Sequence, residues 1–442
     1  MIEIPTLRDH LTPQPSPFEA TNYHGGGFVS DDDWVLIHSV FRVEENEEED
    51  DDALTRSQSF SIKPNSEIVV DHSDEVDVGD YALRCGARRT IYWNPPEVTA
   101  AIVTVGDICP GVNDVVRSIT YKLLDYGVPE GQILGIRYGF RGFSDREHKP
   151  VSLTRENMRD VHLDGGSILG TSHVRADINE IVKKLDLWKI DQLYVIAGAG
   201  GISAATDLHR ACVSHKVPTS VVAIPKSIDN DVVMLDRTFG FQTAVEEAQA
   251  PLLAAKVEAF SGYRGIGIVK LMGKHAGFLA INASMASGLV DVCLPPEVPF
   301  VLEGPRGLYA YLEEVLRTQG HAVVCVAEGA GKDLVPPGED VGPWLRSKLK
   351  KNIKDSDVKY IDPSYLIRSI AATSQDRISC RMLAHGAVHG AFAGYTGFGV
   401  GLVNSHHCYL PIEILRAVRT VDPKGDLWAR LRSSNSQPEF TD

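Results

Sequence analysis

The chain has 442 residues, 43% of them apolar and 7% aromatic, enough to bury a large core in two or more lobes. Its net charge of −15 argues against nucleic acid as the main partner, because phosphate backbones attract cationic surfaces. No apolar run is long enough to span a bilayer, and seven scattered cysteines without a CxxC pair fit a reducing compartment.

The first ten residues, MIEIPTLRDH, carry acids at Glu3 and Asp9 and no apolar core, so they read as neither signal nor transit peptide, and a cytoplasmic location is expected. Residues 1–96 are polar and turn-rich. Eight of the fifteen net negative charges sit between Glu44 and Asp52, where like charges repel and no apolar area can be buried. The expectation is an N-terminal extension, partly disordered around that run.

From Val98 the texture changes. Short β-branched runs (AAIVTV, ILGIRYG, LYVIAG, TSVVAIP, GIGIVKLMG, VDVCLP, HAVVCVAEG) alternate with longer amphipathic stretches, and most end in Gly or Pro as buried parallel strands do. Helices are expected over VVRSITYKLLDYG, over Thr243 to Ala259 with an interruption at Pro251, and over Leu308 to Gln319. This alternation predicts an α/β fold with mostly parallel sheets sandwiched by helices, whose ligands bind in loops at strand carboxyl ends. The polar tail after Pro423 is expected to fray.

Four such loops carry candidate chemistry. Thr104 to Asp114 (TVGDICPGVND) is a Gly-containing strand-to-helix turn, a plausible phosphate cradle but also a common geometric device. Ala197 to Ser203 (AGAGGIS) is open to the same two readings. Pro225 to Asp231 (PKSIDND) packs two carboxylates, a Lys and a Ser where a buried strand ends; one carboxylate there can take a proton from a hydroxyl while the other steers a cation. Tyr360 to Arg368 (YIDPSYLIR), with Lys359 before it, offers an Arg and tyrosines that could clamp a phosphate, though a lone motif of this kind is more often surface.

In this order, with FGFQTAVEEAQ (Phe239 to Gln249), VKLMGK (Val269 to Lys274) and HGAVHGAFAGYTGF (His385 to Phe398), these loops resemble the phosphofructokinase family, specifically its plant-type ATP-dependent branch, from about Leu83 to Leu410. The resemblance implies two Rossmann-like lobes: a nucleotide-side lobe over 97–230, a sugar-phosphate-side lobe over 231–410 with returning C-terminal helices, and a tail over 411–442. It implies transfer of the γ-phosphoryl group of Mg-ATP to the 1-hydroxyl of fructose 6-phosphate. On that reading Asp229 is the base toward the sugar hydroxyl and Asp231 the second carboxylate, while Ser227 stands where the family has Thr, followed by Ile228. Met272 and Gly273 match the substrate loop, with Lys274 replacing its usual Arg; Glu328 matches a sugar-hydroxyl acceptor; Tyr365 and Arg368, with Lys359, match the 6-phosphate clamp.

The donor half departs from the family pattern. GGLCPG becomes Gly106-Asp107-Ile108-Cys109-Pro110-Gly111, placing a carboxylate toward the ATP phosphates; unit charges about 4 Å apart repel by roughly 4 kcal/mol at an effective dielectric near 20. SRGG becomes Ser172-His173-Val174-Arg175, and GGDGT becomes Ala197-Gly198-Ala199-Gly200-Gly201, so Ala199 replaces the Mg²⁺ ligand and no metal is expected there. The expectation is a sugar-phosphate-binding member with weak or absent catalysis, homo-oligomeric or assembled with an active paralogue. The rivals are an active ATP-dependent 6-phosphofructokinase with a rearranged donor site, a pyrophosphate user (which lacks the Asp expected at Gly200), and a scaffold without ligand.

Overall fold

The computed structural model describes residues 1–21, 27–37, 41–43, 62–64, 81–173 and 177–441. The acidic run from Glu44 to Asp52 lies outside them.

Two sheets organise the molecule. The larger has nine strands: β1 (Trp34–Leu36), β2 (Tyr81–Arg84), β3 (Ala100–Val105), β4 (Ile133–Ile136), β5 (Val151–Ser152), β6 (Gln192–Ala197), β7 (Ser220–Pro225), then, far along the chain, β12 (Phe398–Val403) and β13 (His406–Pro411). The smaller has four, all parallel: β8 (Ile266–Leu271), β9 (Val292–Leu294), β10 (Ala322–Ala327) and β11 (Val358–Ile361). The spatial orders are β1-β2-β13-β12-β7-β6-β3-β4-β5 and β9-β10-β8-β11.

The continuous apolar runs follow from burial on both faces. Successive side chains of a strand point to opposite sides. Thus Ala100 and Ile102 of β3 join one core with Tyr194 and Ile196 of β6, while Ala101, Val103, Leu193 and Val195 join the core on the other face. In the smaller sheet Ile266 and Ile268 pack on one side and Val269 and Leu271 on the other. Ile228, between the sheets, packs against cores of both lobes.

Helices α1 (Val112–Tyr126) and α2 (Ala199–His215) follow β3 and β6; α3 (Phe241–Glu247), α4 (Gln249–Ser261) and α5 (Phe278–Ser287) serve the smaller lobe; α6 (Ser364–Ser369) and α7 (Ser374–Phe392) lead back to the larger sheet. Gly111 caps α1 at φ +96, and a Cβ there would meet the Cys380 sulfur at 2.6 Å, so α7 lies too close for any side chain.

Two expectations need correction, the place of the helical break and the fraying of the tail. The helical break falls at Ala248, not Pro251. Proline clashes with the carbonyl four residues back, which is Glu247, the last residue of α3, and it is tolerated in the first turn of α4. The N-terminal segment is built into the fold: β1 and β2 extend the large sheet through antiparallel pairing to β13, and Asp31 bonds Arg8, Arg88 and Tyr395. The tail does not fray. Residues Asp426–Asn435 form a helix that buries Trp428 and Leu431, and the Gln437 amide bonds both backbone groups of Cys293. The seven cysteines form no disulfide, and six are buried. Among the described residues no helix is long and apolar enough to cross a membrane.

Candidate active site

Three adjacent parallel strands, β7, β6 and β3, end side by side, and their carboxyl ends open into a cleft of about 800 Å³. Gly106, Asp107, His173, Gly198, Ala199, Gly200, Gly201 and the loop residues Ser227, Ile228, Asp229 and Asp231 all line it, and Arg368 reaches it from α6. Two of the four candidate loops thus supply one wall, PKSIDND the floor and YIDPSYLIR a cation opposite. Val174 and Arg175 lie outside the described residues.

The PKSIDND loop is tightly held. Asn230 takes a left-handed conformation (φ 58), its side-chain oxygen accepting the Thr238 N–H at 2.9 Å. Ser227 Oγ donates to the Asp231 carboxylate and accepts the Asp229 N–H at 3.2 Å. Arg419 clasps the loop from outside: its Nε donates to Asn230 O at 2.9 Å and its own N–H to Asp231 O at 2.7 Å. Nothing local marks Arg419 in the sequence, since its partners lie nearly 190 positions away.

Asp229 is half-buried, and its Oδ1 is enclosed without a hydrogen-bond partner among the described residues. Burial first, then the negative charges of Asp231 and Glu328, push its carboxyl up to about 7. A carboxyl so placed can take up or release a proton near neutral pH, a property that a general base needs. Lys226, also buried, donates to the backbone oxygen of Asp107 and ties PKSIDND to the first loop; burial lowers its pKa.

On the donor side Asp107 is not solitary. Its carboxylate, 59% exposed, lies 3.2 Å from His173 Nε2 and 3.6 Å from the Arg368 guanidinium, which is 24% exposed. The arginine expected to clamp a phosphate already faces an internal anion. Ala199 opens α2 with no side chain able to ligate a metal, and α2 has no side-chain cap, leaving its first N–H groups toward the cleft.

The acceptor residues are brought together less completely. Met272 is buried, and Gly273, at φ +127, accepts the Gly329 N–H at 3.0 Å, which joins the loops after β8 and β10. Lys274 and Glu328 stand exposed at those strand ends; Glu328 acts on Asp229 through its charge. Lys359 is 3.1 Å from Asp357 and does not line the cleft. Tyr365 points outward, 83% exposed. Physically, Lys359 precedes the strand end and Tyr365 sits on the outer side of the short helix α6. What secures α6 is Lys270, buried between Asp340 at 2.5 Å and Asp362 at 2.8 Å, a contact hidden in the apolar run of β8.

Two α/β lobes with a carboxylate pair, a buried lysine and a facing arginine at parallel strand ends have the layout of a phosphotransferase. The chain belongs to the phosphofructokinase family, matching its model over residues 99–391. It is 42% identical over 431 residues to the ATP-dependent 6-phosphofructokinase 5, chloroplastic, of Arabidopsis thaliana (94% of this chain, 78% of that one), and 40% identical to ATP-dependent 6-phosphofructokinase 2 of the same plant (91% and 96%). An ATP-dependent 6-phosphofructokinase of Amycolatopsis methanolica is 41% identical over 80% of this chain and 82% of its own. In fold it resembles the pyrophosphate-dependent phosphofructokinase of Marinobacter aquaeolei, with a TM-score of 0.66 at 18% identity, covering 78% of this chain and 92% of that one. The family is one of glycolytic kinases that use ATP and Mg²⁺.

Proposed function

We propose that this chain binds fructose 6-phosphate or a related sugar phosphate but transfers phosphoryl groups weakly or not at all, serving as a regulatory or assembly subunit in the cytosol. One observation carries the reading: the donor half has lost its metal ligand at Ala199 and gained a carboxylate at Asp107, already seated against His173 and Arg368. Phosphoryl transfer depends on positioning and on neutralising charge, chiefly through the metal. The residues present do not fit Mg-ATP as the family holds it, because Ala199, at the family's ligand position, offers no side-chain oxygen to the cleft. Assembly is supported by an apolar stripe on and beyond α4, where Leu253, Val257, Phe260 and Tyr263 are each more than half exposed. The partner is a second copy or an active paralogue.

The second reading, an active kinase, is favoured by Asp229, whose carboxyl near 7 suits a general base. Calorimetry with fructose 6-phosphate and with ATP separately, followed by an assay with both and Mg²⁺, divides the two. Sugar-phosphate binding with negligible turnover supports the proposal. A rate in the range of about 1–100 s⁻¹ usual for kinases overturns it.

A further inference from the structure

A second cavity, about 330 Å³, lies away from the cleft. It is framed by the end of β2, by α1, by one face of α7 and by β13. Its polar lining is Arg84, Lys122, His385, His389 and His407, together with the Cys85 thiol. None of its lining residues is an Asp or Glu, in a chain whose net charge is −15. Phe28, Val29 and Met382 supply apolar wall.

The polar groups divide by availability. Lys122, buried, has Asp125 at 3.3 Å and the Phe18 ring at 5.3 Å. His389 shares a 2.7 Å hydrogen bond with Tyr126 through Nδ1. Arg84 has no carboxylate partner among the described residues, and His385 has no hydrogen bond among them. Burial, then the charges of Lys122 and Arg381, hold His385 at about 4, and burial lowers His389 and, with His406, His407. At neutral pH the imidazoles are therefore uncharged hydrogen-bonding groups; Lys122 is offset by Asp125, and Arg84 is the cation that no described carboxylate neutralises. A guanidinium and a neutral imidazole that no described residue engages, beside an apolar wall within one small cavity, describe a site with a head and a body.

From this arrangement we infer that the cavity is a binding site for a small organic anion, with a carboxylate or phosphate head held by Arg84 and His385 and an apolar body against Phe28, Val29 and Met382. The volume suits a single-ring ligand. This inference does not depend on what the cleft does.

The test is calorimetry and ligand-observed NMR on the full chain with benzoate and phenyl phosphate, and with neutral benzamide as control. A dissociation constant on the order of 1 mM is expected for an anion of this size. Benzamide should bind at least tenfold more weakly. Arg84→Ala, an exposed position that leaves the core intact, and His385→Ala should each weaken the anions by about tenfold. The inference is overturned if neither anion binds at several times that concentration, if benzamide binds equally well, or if both variants keep the parent affinity, which would place the anions elsewhere on the surface.

Discussion

Replacing Asp107 by Asn removes a charge from the cleft at constant size, and its effect can be worked from the geometry. The first contribution is release of Arg368. That pair spans 3.6 Å between partners 59% and 24% exposed, so it is worth no more than about 1 kcal/mol. The second is repulsion of the incoming ligand. A phosphate that reaches Arg368 comes within roughly 5 Å of the Asp107 carboxylate, costing about 1 kcal/mol in water and about 3 kcal/mol at a dielectric near 20. The exposure of Asp107 favours the lower end. Together these predict about 1–3 kcal/mol, or fructose 6-phosphate bound about 5- to 150-fold more tightly by Asp107→Asn. Calorimetry at 0.1 M and 1 M salt measures it, and the gain should shrink at high salt because screening shortens from about 10 Å to about 3 Å. If the variant binds within twofold of the parent at low salt, the carboxylate does not oppose phosphate and the electrostatic argument fails.

Asp229 makes stability depend on pH. Its folded-state carboxyl near 7 lies above the ordinary 3.8, so the folded protein holds a proton that the unfolded chain has released. Stability should therefore fall as pH rises from about 4 to about 7, by an amount on the order of 2–4 kcal/mol. Asp229→Asn should flatten that profile in urea denaturation; an unchanged slope would refute the burial argument. Arg419→Ala strips the bonds to Asn230 O and Asp236 O and should cost about 2–3 kcal/mol, with weaker sugar-phosphate binding as the loop loosens; full retention of both would show the clasp to be incidental. Gln437→Ala leaves two buried backbone groups of Cys293 unpaired and should cost about 2–4 kcal/mol, seen as a lower urea midpoint, whereas a frayed tail would give no change.

The parallel core was legible because strands buried on both faces must be apolar throughout, and runs such as AAIVTV and HAVVCVA are near-continuous. What was not legible is pairing across long separations. The strand at Tyr81–Arg84 is four residues in a polar stretch, and it becomes a strand because β13, more than 300 positions later, offers an open edge. The tail is similar: its polarity suggests solvent, yet Gln437 is polar because it must satisfy an edge of the smaller sheet.

The candidate site divides along the same line. Motif spacing brought Asp107, Ala199, Asp229 and Arg368 to one cleft, because each sits where an apolar run stops or just beyond, and such ends converge in a doubly wound sheet. Spacing could not separate Arg368, which faces inward, from Tyr365, three residues earlier on the same short helix and turned to solvent. Nor could it relate the donor half to the acceptor half. Read along the chain, Asp107 alters the donor side and Arg368 belongs to the sugar side; in space they are partners at 3.6 Å. On the proposed reading, the carboxylate at position 107 bears on both halves, repelling a polyphosphate and competing for the arginine that would hold a sugar phosphate. Retained acceptor motifs are then not evidence of undiminished sugar binding, and affinity should recover when the charge at position 107 alone is removed.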